Sequence, residues 1–191
     1  SLFYLSYNDR IGLVNKTDEN GHPYILRTNV DKSIHKGIEA FTELNITRAF
    51  DGSKTMGSLL IFNSFAYTNA RYTGGAYKGN KVEYAPEIIN RIGITYNHKM
   101  LSSSLQLSTQ TKAFADAANT VRSNNPVIGS IPAYSVIDWS VSQGYKKWKL
   151  KAGISNLADK RYFTQRTDEY PGPGIIPSTG RSYYMGIGYN L

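Results

Sequence analysis

The sequence contains no cysteine, only three histidines and three methionines, and no long run of apolar residues. Without cysteine there is no disulfide framework and no thiol chemistry. The longest apolar patches, such as Leu59–Phe62, fall far short of the roughly 18 residues that a transmembrane helix needs. The N-terminal residues also lack the basic and then apolar layout of a signal peptide. What remains is a chain of 191 residues, long enough for one domain with a core or for several membrane strands.

Catalytic and metal-binding patterns are missing as well. His22, His35 and His98 are far apart and fall in different predicted strands or loops, so they do not predict a metal site. No serine lies in a nucleophile elbow. Thr73-Gly74-Gly75 reads as a loop turn, because the rest of a phosphate-binding framework is absent. The sequence therefore predicts no enzyme, no catalytic residue, no metal site and no cofactor.

The net charge of +8 would suit nucleic acid, anionic lipid headgroups or an acidic ligand. The lysines and arginines read as scattered singly along strands and loops rather than clustered in one basic block. Since a nucleic-acid footprint requires such a cluster, we expect no nucleic-acid partner.

Hydrophobic residues recur with a period of two, which is typical of β-strands. In the last segment the odd positions are large and mostly apolar, and the even positions are mostly small or polar; the odd positions are Tyr183, Met185, Ile187, Tyr189 and Leu191. The same alternation predicts eight strands in all. They span residues 2–13, 26–47, 57–72, 88–98, 101–111, 135–145, 147–157 and 182–191.

Such alternation suits either a water-soluble β-sandwich whose sheets each have one solvent-exposed face or a transmembrane β-barrel. The polar faces carry glycine, serine, asparagine and isolated charges, as a water-filled lumen does. The apolar faces end in aromatic residues, which suits the girdles at a membrane interface: Tyr96, Trp139, Tyr145, Trp148 and Tyr183. In lipid, every backbone group must be paired within the sheet. The sequence therefore predicts strands of a closed, antiparallel transmembrane β-barrel.

The predicted connections alternate in length. Short turns are expected near 48–56, 98–101 and 144–147, and long polar loops at 14–23, 73–87, 112–133 and 163–180. Outer-membrane barrels have short periplasmic turns and long external loops. We therefore expect the first strand to run outward and the chain to end at the periplasmic rim.

Several motifs resemble those of one membrane-protein family. The stretch NLADKRYF, residues Asn156–Phe163, resembles a signature near the end of TonB-dependent outer-membrane receptors. Further segments resemble landmarks of the same family in the same order: Asn29-Val30, His35–Glu39, Val82–Glu87, Phe114–Asp116, Ile131–Tyr134, Tyr170–Pro177 and Gly180–Tyr183. The end of the chain, Gly186–Leu191, resembles the C-terminal signal by which barrel-assembly machinery recognises outer-membrane proteins. The resemblance covers essentially the whole chain and is strongest to the ferric dicitrate-type branch.

The resemblance implies an all-β fold in which residues 1–191 are about eight C-terminal strands of a barrel of about 22 strands. The family's N-terminal plug is absent from this chain, so we expect a fragment or a truncated product. The implied function is TonB-dependent uptake of a ferric chelate, iron-citrate or another siderophore, across the bacterial outer membrane. The implied partners are outer-membrane lipid, lipopolysaccharide, the chelate, and the TonB complex through the missing plug. Glu39 and Glu43 are expected to face that plug.

An anionic chelate would be bound by cations and amides near the outer loops, since arginine forms two parallel hydrogen bonds with a carboxylate. Position and charge select six candidates: Arg71, Lys78, Arg122, Arg161, Gln165 and Arg166. Ordinary solvated loop charge, or contact with lipopolysaccharide, is the competing interpretation of each.

Two other functions stay open at this point. Eight strands can close on themselves, so a small stand-alone barrel with a structural or adhesive role would also fit. An outer-membrane enzyme of the lipase or protease kind is the third hypothesis, and no catalytic motif supports it. The sequence does not identify the cargo, because vitamin complexes and glycans enter through similar barrels.

Overall fold

The computed structural model describes residues 1–49, 57–169 and 172–190. Apart from one helical turn, α1 (Ile46–Ala49), the regular structure there is all β. The strands are β1 (Leu2–Thr17), β2 (Pro23–Asn45), β3 (Ser58–Tyr72), β4 (Ile88–His98), β5 (Leu101–Gln110), β6 (Ala113–Phe114), β7 (Ser130–Ile131), β8 (Tyr134–Tyr145), β9 (Trp148–Ser155), β10 (Phe163–Thr167), β11 (Gly174–Pro177) and β12 (Ser182–Tyr189). No helix within the described ranges is both long enough and apolar enough to cross a membrane.

Eight of these strands form one antiparallel sheet in the order β1-β2-β3-β4-β5-β8-β9-β12. Each strand pairs with the next long strand along the chain, which confirms the eight predicted strands and their up-and-down order. The short pairs β6–β7 and β10–β11 form separate two-stranded sheets inside the long loops. In the described part of the chain β1 and β12 are the two edges, so these eight strands do not close into a small barrel by themselves.

Cross-strand pairing collects the apolar residues on one face, the apolar face. One row of directly paired residues crosses six strands: Leu44, Ile61, Ile94, Leu105, Trp139 and Ile154. Towards the β12 edge, Met185 is 78% exposed and Ile187 is 62% exposed. A continuous apolar surface of this kind is unfavourable in water and suits contact with hydrocarbon.

The opposite face, the polar face, carries small and polar residues, and several aromatic rings fill the space above glycines. Three rings each lie over a glycine of the neighbouring strand: Phe3 over Gly37, Phe62 over Gly93 and Tyr184 over Gly153. A Cβ on Gly93 would approach the Phe62 ring to 2.4 Å, so a larger residue there would displace the ring. This packing of aromatic rings on glycine pins the register of neighbouring strands.

The first hairpin is longer than the sequence indicated. The prediction of a long loop at 14–23 is wrong, because Val14 pairs with Leu26 and Thr17 pairs with Pro23. Only residues 18–22 form the connection, where the Asp18 carboxylate accepts hydrogen bonds from the backbone N–H groups of Asn20 and His22. This local side-chain pairing closes a tight turn in place of a loop.

Strand β2 also differs from a single alternating strand. The β1–β2 register shifts twice around Asp31, whose φ is 138°, so the alternation predicted for 26–47 is interrupted there. Residues 23–31 pair only with β1, 33–38 pair with both β1 and β3, and 39–45 pair with β3. The outer half of the β1–β2 hairpin therefore projects beyond the rest of the sheet.

The remaining connections largely follow the prediction. Turns 99–100 and 146–147 are two-residue connections, and the long loops lie at 73–87, 111–133 and 156–181, all at the same end of the sheet. We call this the loop end and the opposite end the turn end. The turn predicted near 48–56 starts as α1, and its residues 50–56 lie outside the described residues.

The well-buried core lies at the loop end and not within the sheet. Tyr72 and Val82 are each 1% exposed and pack with Ala70 and Ala117. The 111–133 loop contributes most of the other buried apolar residues: Ala113, Phe114, Ala115, Val127 and Ile131. The long loops thus form a packed cap over one end of the sheet.

Substituting neighbouring residues of β5 tests which face meets hydrocarbon. Leu105, on the apolar face, is 45% exposed, while Ser104 lies on the polar face and contacts the Thr95 hydroxyl at 3.1 Å. We expect Leu105→Lys to lower the free energy of unfolding in lipid vesicles by roughly 2–4 kcal/mol, since a charge would enter the bilayer. Ser104→Lys, the matched control, should cost roughly 1 kcal/mol for the lost hydrogen bond. Equal costs in denaturant titrations of the full-length protein would contradict the assignment of faces.

Candidate functional site at the loop end

Glu83 is the centre of the contacts that fix the 73–87 loop. Its side chain is 4% exposed, and its Oε2 accepts a 2.5 Å hydrogen bond from the Tyr72 hydroxyl. Its Oε1 accepts a 3.1 Å bond from the backbone N–H of Leu13 and lies 3.5 Å from Nη2 of Arg10. One carboxylate therefore joins the loop to both β1 and β3, and its partners offset the cost of burying the charge.

Asn119 joins the same loop to the 111–133 loop. Its Oδ1 accepts from the backbone N–H of Lys81 at 2.7 Å, and its Nδ2 donates to the carbonyl of Lys81 at 2.7 Å. The side-chain amide thus pairs with Lys81 as a neighbouring strand would. Nearby, Asn80 Nδ2 donates to the Ala117 carbonyl at 2.9 Å. These bonds make the two loops one packed unit.

Arg166 of β10 connects the last loop to this unit. Its Nη1 and Nη2 donate to the carbonyls of Pro126 and Ser130 at 2.8 and 3.3 Å, and its guanidinium lies 5.3 Å from the Phe163 ring centroid. Its own carbonyl accepts a 3.0 Å hydrogen bond from the Tyr84 hydroxyl. Burial raises the pKa of Tyr84 above its ordinary value, so this phenol donates as a neutral group over the physiological range.

Asn156 and Asp159 hold the two ends of the 156–181 loop together. Asn156 is 3% exposed, and its Nδ2 donates to the carbonyls of Lys160 and Thr179 at 2.9 and 3.4 Å. Asp159 Oδ1 accepts from the backbone N–H of Arg181 at 2.9 Å. That hydrogen bond lowers the pKa of Asp159, and the charges of Arg161 and Arg181 act in the same direction. These residues form the first part of the NLADKRYF motif and fix where β12 begins.

A cleft of about 440 Å³ lies between the projecting β1–β2 hairpin and β10. Its wall on the hairpin side includes Leu13, Ile25 and Arg27. The opposite wall consists of Tyr84 and residues 165–169 of the last loop. Asp168 Oδ2 closes one side by accepting a 2.6 Å hydrogen bond from the backbone N–H of Ile25.

The cleft combines cationic, amide and carboxylate groups. Arg27 is exposed, and its side chain makes no hydrogen bond or ion pair with any residue that the structure describes. Gln165 is exposed on the other wall, next to Arg166. A guanidinium with unused donors and an amide can together bind a carboxylate-bearing molecule. Asp168 and Glu169 line the same cleft and would restrict how much negative charge it accepts.

The structure brings together two of the six residues predicted to bind a ligand, Gln165 and Arg166, in this cleft. Arg71 lies elsewhere, with Nη1 donating to the Gly79 carbonyl at 2.9 Å and Nη2 at 3.6 Å from Glu87 Oε1. Lys78 is exposed in the turn next to Gly79, and Arg122 and Arg161 are exposed without lining the cleft. The ligand-binding role of all six residues stays a prediction.

Sequence reasoning missed Arg27 and the projecting hairpin that carries it. The alternation of 26–47 placed Arg27 with the lumen-facing residues of a spanning strand, and nothing in the pattern marks the bulge at Asp31. Sequence reasoning also missed a lysine cluster at the turn end. Lys146, Lys147, Lys149 and Lys151 fall within six residues, so the description of the charges as singly scattered is wrong.

The three histidines lie apart, as the sequence indicated. His22 contacts Asp18, His35 contacts the Ser33 hydroxyl at 3.2 Å, and His98 stacks on Tyr96. Within the described residues no group of three or more histidine, aspartate or glutamate side chains could hold a metal ion.

Comparison with known proteins connects this architecture to one family. Residues 1–157 match the family model described as TonB dependent receptor-like, beta-barrel. The fold is similar to that of the ferric citrate transporter FecA in its unliganded form, with a TM-score of 0.75 and 27% identity over 92% of this chain. It is also similar to the copper transporter OprC, with a TM-score of 0.71 and 15% identity over 98% of this chain. The siderophore receptor PiuA from Acinetobacter baumannii has a TM-score of 0.67 and 20% identity over 98% of this chain.

This chain spans about a quarter of the length of those structures: 27% of FecA, 28% of OprC and 25% of PiuA. The similarity to OprC and PiuA concerns the fold alone. By their descriptions, two of these structures are transporters and one is a siderophore receptor.

Removing the buried carboxylate tests whether Glu83 organises the loop end. We expect Glu83→Ala to lower the free energy of unfolding by about 3 kcal/mol, because Tyr72, Leu13 and Arg10 lose a shared partner. Glu87 in the same loop pairs with Arg71 and Lys81 but is 34% exposed, so Glu87→Ala should cost less than about 1 kcal/mol. Hydrogen exchange of the 73–87 amides measures the same loosening locally. Similar losses in both variants would show that Glu83 has no special structural role.

The buried phenol of Tyr84 predicts a dependence on high pH. Because burial raises the folded-state pKa, the neutral Tyr84 phenol contributes stability that is fully present below the ordinary tyrosine pKa of 10.0. That contribution is lost as the pH rises through the higher folded-state pKa. The difference in phenolate absorbance between the full-length wild type and Tyr84→Phe isolates this one titration. We expect its midpoint above 10; a midpoint at or below 10 would contradict the burial of this hydroxyl.

Proposed function

Because this chain belongs to the family of TonB-dependent receptor β-barrels, we propose that it forms part of the barrel of an outer-membrane receptor that imports a ferric chelate. Ferric citrate is the first ligand to test. The observation that carries this choice is the 27% identity to a ferric citrate transporter over 92% of the chain. The protein from which this segment comes would take up the chelate with energy delivered through TonB.

The exposed apolar face and the open sheet edges both support a larger barrel. Strands β1 and β12 each leave one row of backbone groups unpaired in the described structure. In hydrocarbon such groups must pair with another strand, since no water is available to satisfy them. We infer that further strands of the receptor complete the barrel on both sides. The open edges also weigh against the alternative of a stand-alone eight-stranded barrel.

The polar face supports a barrel that surrounds a separate plug. Glu39 and Glu43 lie on this face of β2, and Lys149 and Lys151 lie on it in β9, separated by serine- and glutamine-rich strands. Charged residues that alternate with small ones suit a hydrated interior in contact with another polar surface. We propose that this face contacts the plug through which the receptor engages TonB.

The cleft at the loop end is the proposed chelate-binding surface within this chain. Ferric citrate carries carboxylates, and Arg27 offers donors that the described structure leaves unused. Gln165 would add an amide, and Arg166 would add positive charge although its guanidinium already contacts two carbonyls. The other predicted residues, Arg71, Lys78, Arg122 and Arg161, would form a wider basic surround for an anionic ligand.

Substituting the free arginine tests this site in the full-length receptor. We expect Arg27→Ala to weaken ferric citrate binding roughly tenfold or more, from about 1.5–3 kcal/mol for a lost hydrogen bond to a charged group. Isothermal titration of the purified receptor measures the change. Arg48→Ala is the matched control, because Arg48 is exposed at the turn end and should leave the affinity unchanged.

The Arg166→Ala variant distinguishes two roles of Arg166, which are holding the loops together and contacting the ligand directly. Loss of affinity together with faster hydrogen exchange in 126–130 would indicate that Arg166 acts by holding the loops. Loss of affinity with unchanged exchange would indicate direct ligand contact. If Arg27→Ala binds ferric citrate as tightly as the wild type, the cleft is not the binding surface. If the wild type itself does not bind ferric citrate, the cargo is another molecule.

A further inference from the structure

The turn end of the sheet carries an uncompensated group of lysines. Lys146 and Lys147 form the two-residue connection between β8 and β9, and Lys99 lies in the neighbouring connection between β4 and β5. Lys99, Lys146 and Lys149 line one cleft of about 280 Å³. The segments 99–115, 139–158 and 181–191 contain no aspartate or glutamate. This rim is therefore strongly cationic, in contrast to the loop end, where Glu83 and Glu87 neutralise neighbouring cations.

Two of these lysines lie directly over exposed aromatic rings. Lys146 Nζ is 5.5 Å from the centroid of Tyr145, and Lys147 Nζ is 5.9 Å from the centroid of Tyr189. The rings of Trp148 and Tyr189 meet edge to face with centroids 4.8 Å apart. The aromatic surface is open, since Tyr145 is 67% and Trp148 is 51% exposed. Rings and ammonium groups thus form one preassembled surface, which we call the lysine–aromatic rim.

The rim continues the apolar face of the sheet. Trp148 pairs directly with Tyr145 and Tyr189 across the strands, and the next pair along the same face is Leu150 with Ile187. Aromatic residues with one apolar side and one polar group settle at the boundary between hydrocarbon and headgroups. Lysines one residue beyond them can extend their charge into the headgroup layer while their methylene stems stay on apolar surface. The rim is therefore placed at headgroup height.

We propose that the lysine–aromatic rim is a binding site for the headgroup of an anionic phospholipid. Two adjacent ammonium groups provide up to six donors for a phosphate, and the segments 99–115, 139–158 and 181–191 contain no aspartate or glutamate that would compete for them. The aromatic side would pack against the glycerol and upper acyl chains. A soluble acidic partner fits less well, because the exposed rings face the same side as Leu150 and Ile187. The proposal requires only the membrane-embedded sheet and is independent of which chelate is imported.

Lipid titration monitored by native mass spectrometry tests the proposal on the delipidated full-length receptor. Phosphatidylglycerol is the probe, phosphatidylethanolamine is the zwitterionic comparison, and inorganic phosphate is the competitor. The test variant is Lys146→Asn with Lys147→Gln; asparagine is chosen because Lys146 has a φ of 53°, which asparagine tolerates. We expect roughly 30-fold weaker phosphatidylglycerol binding, the conversion of about 1 kcal/mol for each lysine near an anionic surface at about 1.4 kcal/mol per tenfold.

The matched control removes the same charge elsewhere, through Lys16→Gln with Lys160→Gln, two exposed lysines at the loop end. Selective loss in the rim variant, with wild-type binding in the control, supports the proposal. Equal loss in both variants, no loss in either, or equal binding of phosphatidylethanolamine and phosphatidylglycerol by the wild type would overturn it. Complete displacement by millimolar inorganic phosphate would also overturn it, because the site would then bind free phosphate. Heat-modified migration on gels checks that each variant is folded, and unchanged chelate affinity separates this result from the proposed transport function.

Discussion

Lateral pairing of the backbone is the constraint on which the rest of this structure depends. Every long strand is antiparallel to its neighbours, so backbone donors and acceptors are paired within the sheet except along the outer edges of β1 and β12, and the two faces can meet different surroundings. The apolar face can then be exposed without a protein partner, as at Met185 and Ile187, and the polar face can carry charges. The usual arrangement of a globular protein, with a dry core between layers, is absent from the described sheet. Buried packing appears instead where the chain leaves the proposed membrane region.

That change of surroundings explains the density of side-chain hydrogen bonds at the loop end. The loops have only the short strand pairs β6–β7 and β10–β11, and Glu83, Asn119, Asn156 and Arg166 each bind backbone groups of a distant segment. Two of these residues, Glu83 and Asn156, belong to the motifs that resemble the receptor family. In this chain, these residues hold the loops in one arrangement beside the cleft. The surround holds the backbone next to the proposed chelate-binding cleft, while the exposed side chains of Arg27 and Gln165 would become ordered only on binding.

Sequence reasoning recovered the features that depend on local alternation and could not recover those that depend on distant partners. The eight strands follow from period-two patterns, because each strand has one apolar side. The true length of the first hairpin does not, since residues 14–17 and 23–25 are too mixed in character to show that they pair. The double register shift at Asp31 is likewise invisible in one strand alone. Gln165 and Arg166 were selected as candidate ligand-binding residues from their chemistry and loop position. Arg27 lies in the same cleft only because the β1–β2 hairpin projects beyond the sheet.

The two ends of the sheet differ in the contacts that their cationic side chains make. At the loop end, the guanidinium groups of Arg10, Arg71 and Arg166 contact carboxylates or carbonyls, and the exposed Arg27 lines a cleft. At the turn end, lysines lie over aromatic rings, and the neighbouring segments contain no aspartate or glutamate. Fixed and partly neutralised charge favours discrimination of a shaped ligand, because the donors have set positions. Flexible and uncompensated charge favours attraction to a surface, because long stems can follow many headgroup arrangements. The bound guanidinium groups of the loop end thus suit the proposed ligand recognition, and the lysine–aromatic rim suits the proposed contact with lipid headgroups.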